Sequence, residues 1–181
     1  MKRCLWAENN PLLKEYHDDE WGNPVHDDKI HFEYLFLEVM QGGLNWLTIL
    51  KKREAFRKAF SNFNYHKISK YTEKDIEKLL QNDKIIRSRK KIEAVIKNAK
   101  AFLKIQEEYG SFDEYIWAFT DGKIIKSIKI DGKSVVKNEL SDKISKNLKE
   151  KGFSFLGSIT IYSHLQAAGL INDHDSYCYK Y

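Results

Sequence analysis

Lys84-Ile85-Ile86-Arg87-Ser88-Arg89-Lys90-Lys91 lies between two segments of helical period, and its reading decides the fold. The longer segment, Ser88 to Tyr109, places Ile92, Val95, Ile96, Ala99 and Leu103 on one face before Gly110 stops it. Arg87, Arg89, Lys90 and Lys91 crowd its start. Positive charge at a helix N-terminus opposes the helix dipole, so the placement is locally unfavourable. A solvated basic face is one explanation. A docked anion is the other: free N–H groups, the dipole and the cationic side chains all point at one phosphate. A short hairpin between two helices that holds a DNA phosphate is the helix-hairpin-helix device.

Helical periods dominate on both sides of this stretch. Pro11 suits the first turn of a helix reaching about Glu20, with Asn10 as cap. Asp28 is placed to cap a helix to Gln41, whose Phe32, Leu35, Phe36 and Val39 recur at helical spacing before Gly42-Gly43 ends it. After a short turn, Trp46 opens a helix to about Phe60. Thr72 with Asp75, and Ser111 with Glu114, form capping-box-like starts, the first for a helix to Gln81. Asp121 to Val136 carries Asp-Gly twice among β-branched residues and reads as a hairpin or an irregular excursion. Helices return at Ser141 to Lys151 and Gly157 to Ala168. No repeat, low-complexity segment or linker interrupts the pattern. The expected class is all-α, one domain over residues 1–181.

Composition narrows the partners. A chain of 181 residues buries roughly 70% of its unfolded surface, enough for a core without staples. No apolar run approaches the roughly 18 residues of a membrane span. The start, Met1-Lys2-Arg3-Cys4-Leu5-Trp6, has no apolar signal-peptide core behind its charges. With only two cysteines, a reducing, cytoplasmic setting is expected, with no membrane partner. The net charge of +5 and pI of about 9.0 fit a polyanion partner, and fit Lys-rich solvated helix faces equally. Lys51-Lys52-Arg53 forms a second basic cluster. No P-loop, dinucleotide fingerprint or nucleophile elbow is present.

Cys4 and His17 lie near one end of the chain, His174 and Cys178 near the other. Two thiolates and two imidazoles are a donor set that tetrahedral zinc prefers. His174 and Cys178 have the spacing of one helical turn or tight loop. A Cys4–Cys178 disulfide and two plain buried thiols are the other readings. If zinc is held, it staples the termini with no open position for chemistry.

Glu38 interrupts the apolar run Phe36-Leu37-Glu38-Val39-Met40 and falls at the edge of the helix's apolar stripe, with Tyr34 and Gln41 on its side. It reads either as a solvated flank or as a carboxylate at the wall of a pocket. Trp6, Tyr16, Trp21 and Trp46 all fall in the first quarter of the chain. Such rings are core in most proteins, and they also make stacking walls for a nucleobase, with a cation–π gain for a cationic one.

Jointly these residues resemble the bacterial 3-methyladenine DNA glycosylase I family over nearly the whole chain. The telling stretches are Arg3-Cys4, Tyr16-His17-Asp18 with Glu20-Trp21-Gly22, and Leu37-Glu38 with Gln41. They continue with Gly43-Leu44, Trp46, Leu50-Lys51-Lys52-Arg53-Glu54, Ile85-Ile86-Arg87, Gly152-Phe153, and Gly169-Leu170 followed by Asn172-Asp173-His174. The resemblance implies an all-α helix-hairpin-helix glycosylase with one structural Zn2+ joining the termini. Cys4, His17, His174 and Cys178 match its zinc positions. Glu38, Tyr16 and Trp46 match its base pocket, with Trp6 nearby.

Three departures stand out. Leu13 replaces a common pocket tyrosine, Asn45 replaces a usual serine, and the hairpin lacks the common glycines. The family also lacks the catalytic aspartate of other helix-hairpin-helix glycosylases; Asp113 lies in roughly that region, within a capping pattern, and reads as structural.

The implied activity is hydrolysis of the N-glycosidic bond of 3-methyladenine in alkylated double-stranded DNA, with free 3-methyladenine as product and an abasic site left behind. Glu38 is the expected catalytic carboxylate and bonds the base edge. Leu44 would fill the gap left by a flipped nucleotide, while Arg87, Arg89 and Lys90 would hold the DNA backbone. A monomer is expected. A catalytically silent DNA-binding module and a helical binding domain with a structural zinc are the rival classes.

Overall fold

Most helices begin where the sequence supplies a cap. The computed structural model describes residues 1–127, 129–130 and 133–181. Helix α1 (Leu5–Glu8) is a single short turn. Asn10 starts α2 (Pro11–Asp19) by accepting the Leu12 N–H at 2.9 Å, with Pro11 at the first position. Helix α3 (Asp28–Gln41) is capped by Asp27 rather than Asp28, through the Lys29 N–H at 2.7 Å. Asn45 caps α4 (Trp46–Ala59) through the Thr48 N–H. There follow α5 (Tyr65–Ile68), α6 (Glu73–Leu80) with Asp75 bonded back to Thr72, and α7 (Arg89–Tyr109). Ser111 caps α8 (Phe112–Trp117), and α9 (Glu139–Glu150) and α10 (Ser158–Ala167) complete the helices.

Asp28 does a different job from the expected one. Its carboxylate accepts the Phe112 and Asp113 N–H groups and the Gln106 side-chain amide, so it caps α8 from across the fold.

Helix α3 is the centre. Every residue from His31 to Met40 is buried, with α4, α7, α8 and α10 packed around it. Phe36 meets Phe56, Phe60 and Phe63 edge-on, with ring centroids 4.7–5.4 Å apart. Phe32 meets Tyr65 and Phe102 in the same way. A helix that is enclosed on all sides has no stripe edge. Glu38 is therefore inside the fold, 5% exposed, and not on the boundary that the spacing indicated.

The segment after α8 holds short strands. β1 (Ile125–Lys126) pairs in parallel with β4 (Ile171–Asn172), a long-range pairing that the sequence did not signal. β2 (Lys129–Ile130) pairs antiparallel with β3 (Lys133–Ser134), as in a hairpin, while Asp131-Gly132 lies outside the described residues. No helix among the described residues is long and apolar enough to cross a membrane.

The chain ends meet. The Tyr179 N–H donates to the Lys2 carbonyl at 3.0 Å. The Lys180 ammonium donates to the carbonyls of His17, Asp18 and Trp21, which closes the C-terminal end of α2. Gly169, at φ +74°, lies so close to the Asn23–Pro24 backbone that a Cβ there would sit 2.6 Å from it. That contact seats the Gly22–Val25 loop on the end of α10.

Candidate active site

Five helices and a turn converge on one cavity of about 420 Å³. Helix α1 supplies Trp6, α2 supplies Leu13 and Tyr16, and the following turn supplies Trp21. Helix α3 gives Glu38 and Gln41, the start of α4 gives Asn45, Trp46 and Leu47, and α10 gives Ser163 and Gln166. Its size suits a small planar ligand. The Tyr16 and Trp46 rings lie 5.3 Å apart, Trp6 and Trp21 5.1 Å apart, and Trp6 and Tyr16 6.4 Å apart.

Gln41, Asn45, Ser163 and Gln166 on the wall have hydrogen-bond partners, but other polar groups there have none among the described residues. The Glu38 carboxyl makes no hydrogen bond with any described residue, and burial alone pushes its pKa up to about 8. The Tyr16 hydroxyl is held well above its ordinary pKa, first by burial and then by the charge of Glu38. The Trp46 indole N–H is buried without a partner among the described residues. A folded protein rarely leaves such groups unpaired, so the arrangement points to a ligand that completes it.

The box is clamped from behind. Arg53 donates to Glu20 and Glu33 at 2.7 Å each, and Arg57 donates to Glu33 at 2.8 Å. The Tyr34 hydroxyl reaches Glu20 at 3.3 Å. These bonds tie the turn after α2 to α3 and α4, fixing Trp21 against the helix of Glu38. On the α10 side, the Gln166 amide donates to Asp173 at 2.5 Å. Asp173 also accepts the Ser127 hydroxyl.

Sequence reasoning placed Trp6, Tyr16, Glu38 and Trp46 together, and all four line the cavity. Ser163 and Gln166 were missed, because their approach depends on α10 packing against α3 and no local pattern marks it. Leu13 and Asn45 are both at the wall. Asp113 does not line it; that carboxylate accepts from His26 at 3.1 Å and His31 at 3.2 Å.

At the joined termini, Cys4, His17 and Cys178 bring their ligand atoms within 4.8 Å of one another, all buried. Both cysteines are free thiols, not a disulfide. The His17 Nδ1–H donates to Asp18 at 2.9 Å, so its Nε2, 3.4 Å from the Cys178 sulfur, carries the lone pair. The Asp175 N–H donates to the Cys4 sulfur at 3.3 Å. His174 stands beside this trio, with its ring 5.2 Å from that of His17. Its Nδ1–H donates to Asn172 at 3.0 Å, and its Nε2 is buried with no hydrogen-bond partner among the described residues. The cluster can hold a metal ion, and the donor atoms present fit one.

In the segment that joins α6 to α7 and at the start of α7 the cations divide. Arg87 and Lys90 are exposed. The Arg89 guanidinium is engaged by Glu73 at 2.6 Å, by Glu77, and by Glu93 at 3.5 Å. Leu44, 38% exposed, sits in the turn between α3 and α4, with its N–H on the Gln41 carbonyl at 2.6 Å.

The family model described as methyladenine glycosylase matches residues 6–181. The chain belongs to the methyladenine glycosylase family. DNA-3-methyladenine glycosylase of Haemophilus influenzae is 44% identical over 177 residues, covering 97% of this chain and 96% of that one. DNA-3-methyladenine glycosylase 1 of Escherichia coli is 41% identical, covering 100% and 97%. Among solved structures, a Tyr-to-Phe variant of 3-methyladenine DNA glycosylase I in complex with 3-methyladenine superposes with a TM-score of 0.94 at 38% identity, covering 99% of this chain and 97% of that one. As a methyladenine glycosylase the protein is a hydrolase that excises an alkylated base in DNA repair.

The raised pKa of Glu38 has a measurable sign. Between about 4.5 and about 8 the folded protein holds a proton that the unfolded chain has lost. Stability is thus lost as pH rises through that window, at about 1.4 kcal/mol per pH unit before relaxation. Glu38→Gln removes the liability. Its melting temperature relative to the parent should rise steadily from pH 5 to pH 8, as read by calorimetry; a pH-independent difference would contradict the burial of Glu38.

Proposed function

We propose that the cavity receives 3-methyladenine flipped out of alkylated double-stranded DNA and that the protein hydrolyses its N-glycosidic bond, leaving an abasic site. The observation that carries this reading is the buried, unpartnered Glu38 inside a box of tryptophan and tyrosine rings. In this account the whole chain acts as one glycosylase domain, a monomer, in the cytoplasm.

The chemistry needs little machinery. Methylation at N3 makes the base cationic and a good, neutral leaving group. Trp46 stacks on it, Tyr16 and Trp6 complete the wall, and the ring faces reward the positive charge. Glu38 accepts from the exocyclic amine. In the empty cavity its carboxyl stays largely protonated near neutral pH; a cationic base favours the ionised form, so the charge arrives with the substrate. That carboxylate then faces the cationic sugar as the bond breaks and water attacks. Flipping costs a few kcal/mol, offset by stacking in the pocket and by backbone contacts.

Leu44 fills the vacated stack. Arg87 and Lys90, exposed on the hairpin, hold phosphates without reading sequence, in the manner of a helix-hairpin-helix. Arg89 joins them only by leaving Glu73 and Glu77. One Zn2+ per chain, held by Cys4, His17, His174 and Cys178, would bind the termini together and supply no open position for catalysis.

Chromatography of bases released from methylated DNA should show 3-methyladenine; DNA binding without release would favour a silent binding module. Trp46→Ala should weaken binding of free 3-methyladenine by roughly 1–3 kcal/mol by calorimetry, and parent-like affinity would remove Trp46 from the pocket role. Charge reversal at Arg87 and Lys90 should weaken binding alike on all sequences and flatten its salt dependence, and an unchanged slope would move the interface elsewhere. Metal analysis should find one zinc per chain, with Cys178→Ala losing both zinc and thermal stability.

A further inference from the structure

Two lysines, Lys91 of the Lys84 to Lys91 stretch and Lys52 of α4, are bonded to backbone carbonyls. Lys91, the third residue of α7, sends its ammonium to the Met40 carbonyl at 2.8 Å and the Gly42 carbonyl at 2.7 Å. These are C-terminal carbonyls of α3, the kind a helix leaves without internal partners and the end where its dipole favours a cation. From the other side, Lys52 of α4 donates to the Lys84 carbonyl at 3.0 Å. One lysine runs from the hairpin helix to the α3–α4 turn, and the other runs from the helix after that turn to the hairpin. A cation at the start of α7 is unfavourable for α7 itself, but this one caps α3.

The turn has little else to hold it. Leu44 exchanges hydrogen bonds with Gln41, its N–H on the Gln41 carbonyl and its carbonyl on the Gln41 amide at 2.9 Å. Those bonds join the turn only to the last residue of α3. Gly43 is at φ +83° and has no neighbouring atom within 4 Å of where a Cβ would be. An exposed leucine on such a turn would yield when pressed against stacked bases, and insertion costs a few kcal/mol.

We propose that Lys91, with Lys52, is a positioning residue for base extrusion: the pair sets the Gly42–Leu44 turn at a fixed distance from the hairpin, so that Leu44 enters the stack where the backbone is held. This rests on the reading of Leu44 as the inserted side chain and of the hairpin as the backbone contact. Neither lysine lines the cavity. Their loss should therefore spare recognition of the free base and impair only its delivery from DNA.

The test compares Lys91→Met, Lys91→Arg and Lys52→Met with the parent. One probe is a duplex carrying a tetrahydrofuran abasic analogue beside 2-aminopurine, which brightens when unstacked. The others are undamaged duplex, free 3-methyladenine, and single-turnover base release from methylated duplex. Lys91→Met should keep parent-like affinity for undamaged duplex and for free base. It should lose the 2-aminopurine rise and release base about tenfold more slowly or worse, since small misplacements at a reacting centre carry such costs. Lys91→Arg, which still donates to carbonyls, should recover most of the loss. Lys52→Met leaves the α3 carbonyls capped; it should move the same signals the same way and tests the strut even if Lys91→Met does not fold. Parent-like release by both methionine variants overturns the inference, as does a loss of free-base affinity in step with release. A parent that gives no 2-aminopurine rise overturns the Leu44 reading itself, which separates that failure from a failure of the lysines.

Discussion

A carboxyl group buried on the central helix, at the wall of a cavity, is the constraint on which this structure turns. Helix α3 is wrapped on all sides, and Glu38 takes the ionisable group into that core. Burying a charge without a partner is expensive, so the carboxyl keeps its proton and pushes its pKa up to about 8. The protein thereby holds a site that is incomplete when empty. In the function proposed above, a cationic planar base would supply the missing charge, the missing donor and a face for the tryptophans. Glu38 would then both recognise the base and face the charge on the sugar, which suits a substrate whose leaving group is already activated by methylation.

The rest of the fold keeps that site rigid. The Glu20–Arg53–Glu33 network holds the aromatic wall of α2 and its turn against α3 and α4. The joined termini hold the opposite side. Asn172 orients His174, Asp173 holds the Gln166 amide at the cavity wall, and β4 ties the same segment to β1. The Cys4–His17–Cys178 cluster and one wall of the pocket thus share a short stretch of chain. Ordering the termini also orders the pocket, although the cluster itself lies outside the cavity.

Much of this was legible in the sequence where the cause is local. Asn10 with Pro11, Thr72 with Asp75 and Ser111 each mark a helix start through hydrogen bonds spanning two or three residues. Gly110 ends α7 at φ +89°, a conformation open to glycine. For Glu38 and Trp46 the residues alone left a solvated flank and a core ring as open as a pocket; it was the family resemblance that put them in one site, and both line the cavity. What failed depends on distance. Asp28 caps a helix more than eighty residues away, and β1 pairs with β4 across α9 and α10. Arg89 meets carboxylates on α6 that no spacing rule aligns with it. Glu38 was assigned to a stripe edge because periodicity describes one helix alone, while its burial is set by four others.

The central claim is that Glu38 is buried, protonated and waiting for a ligand. NMR titration of its side-chain carboxyl carbon in isotopically labelled protein tests this most directly, with Glu38→Gln to assign the resonance. The account predicts a pKa near 8 in the free protein and a clear downward shift on saturation with 3-methyladenine, because the amine bonds the ionised form. An ordinary pKa near 4.5 in the free protein, or a raised value that saturating base leaves unchanged, would contradict it.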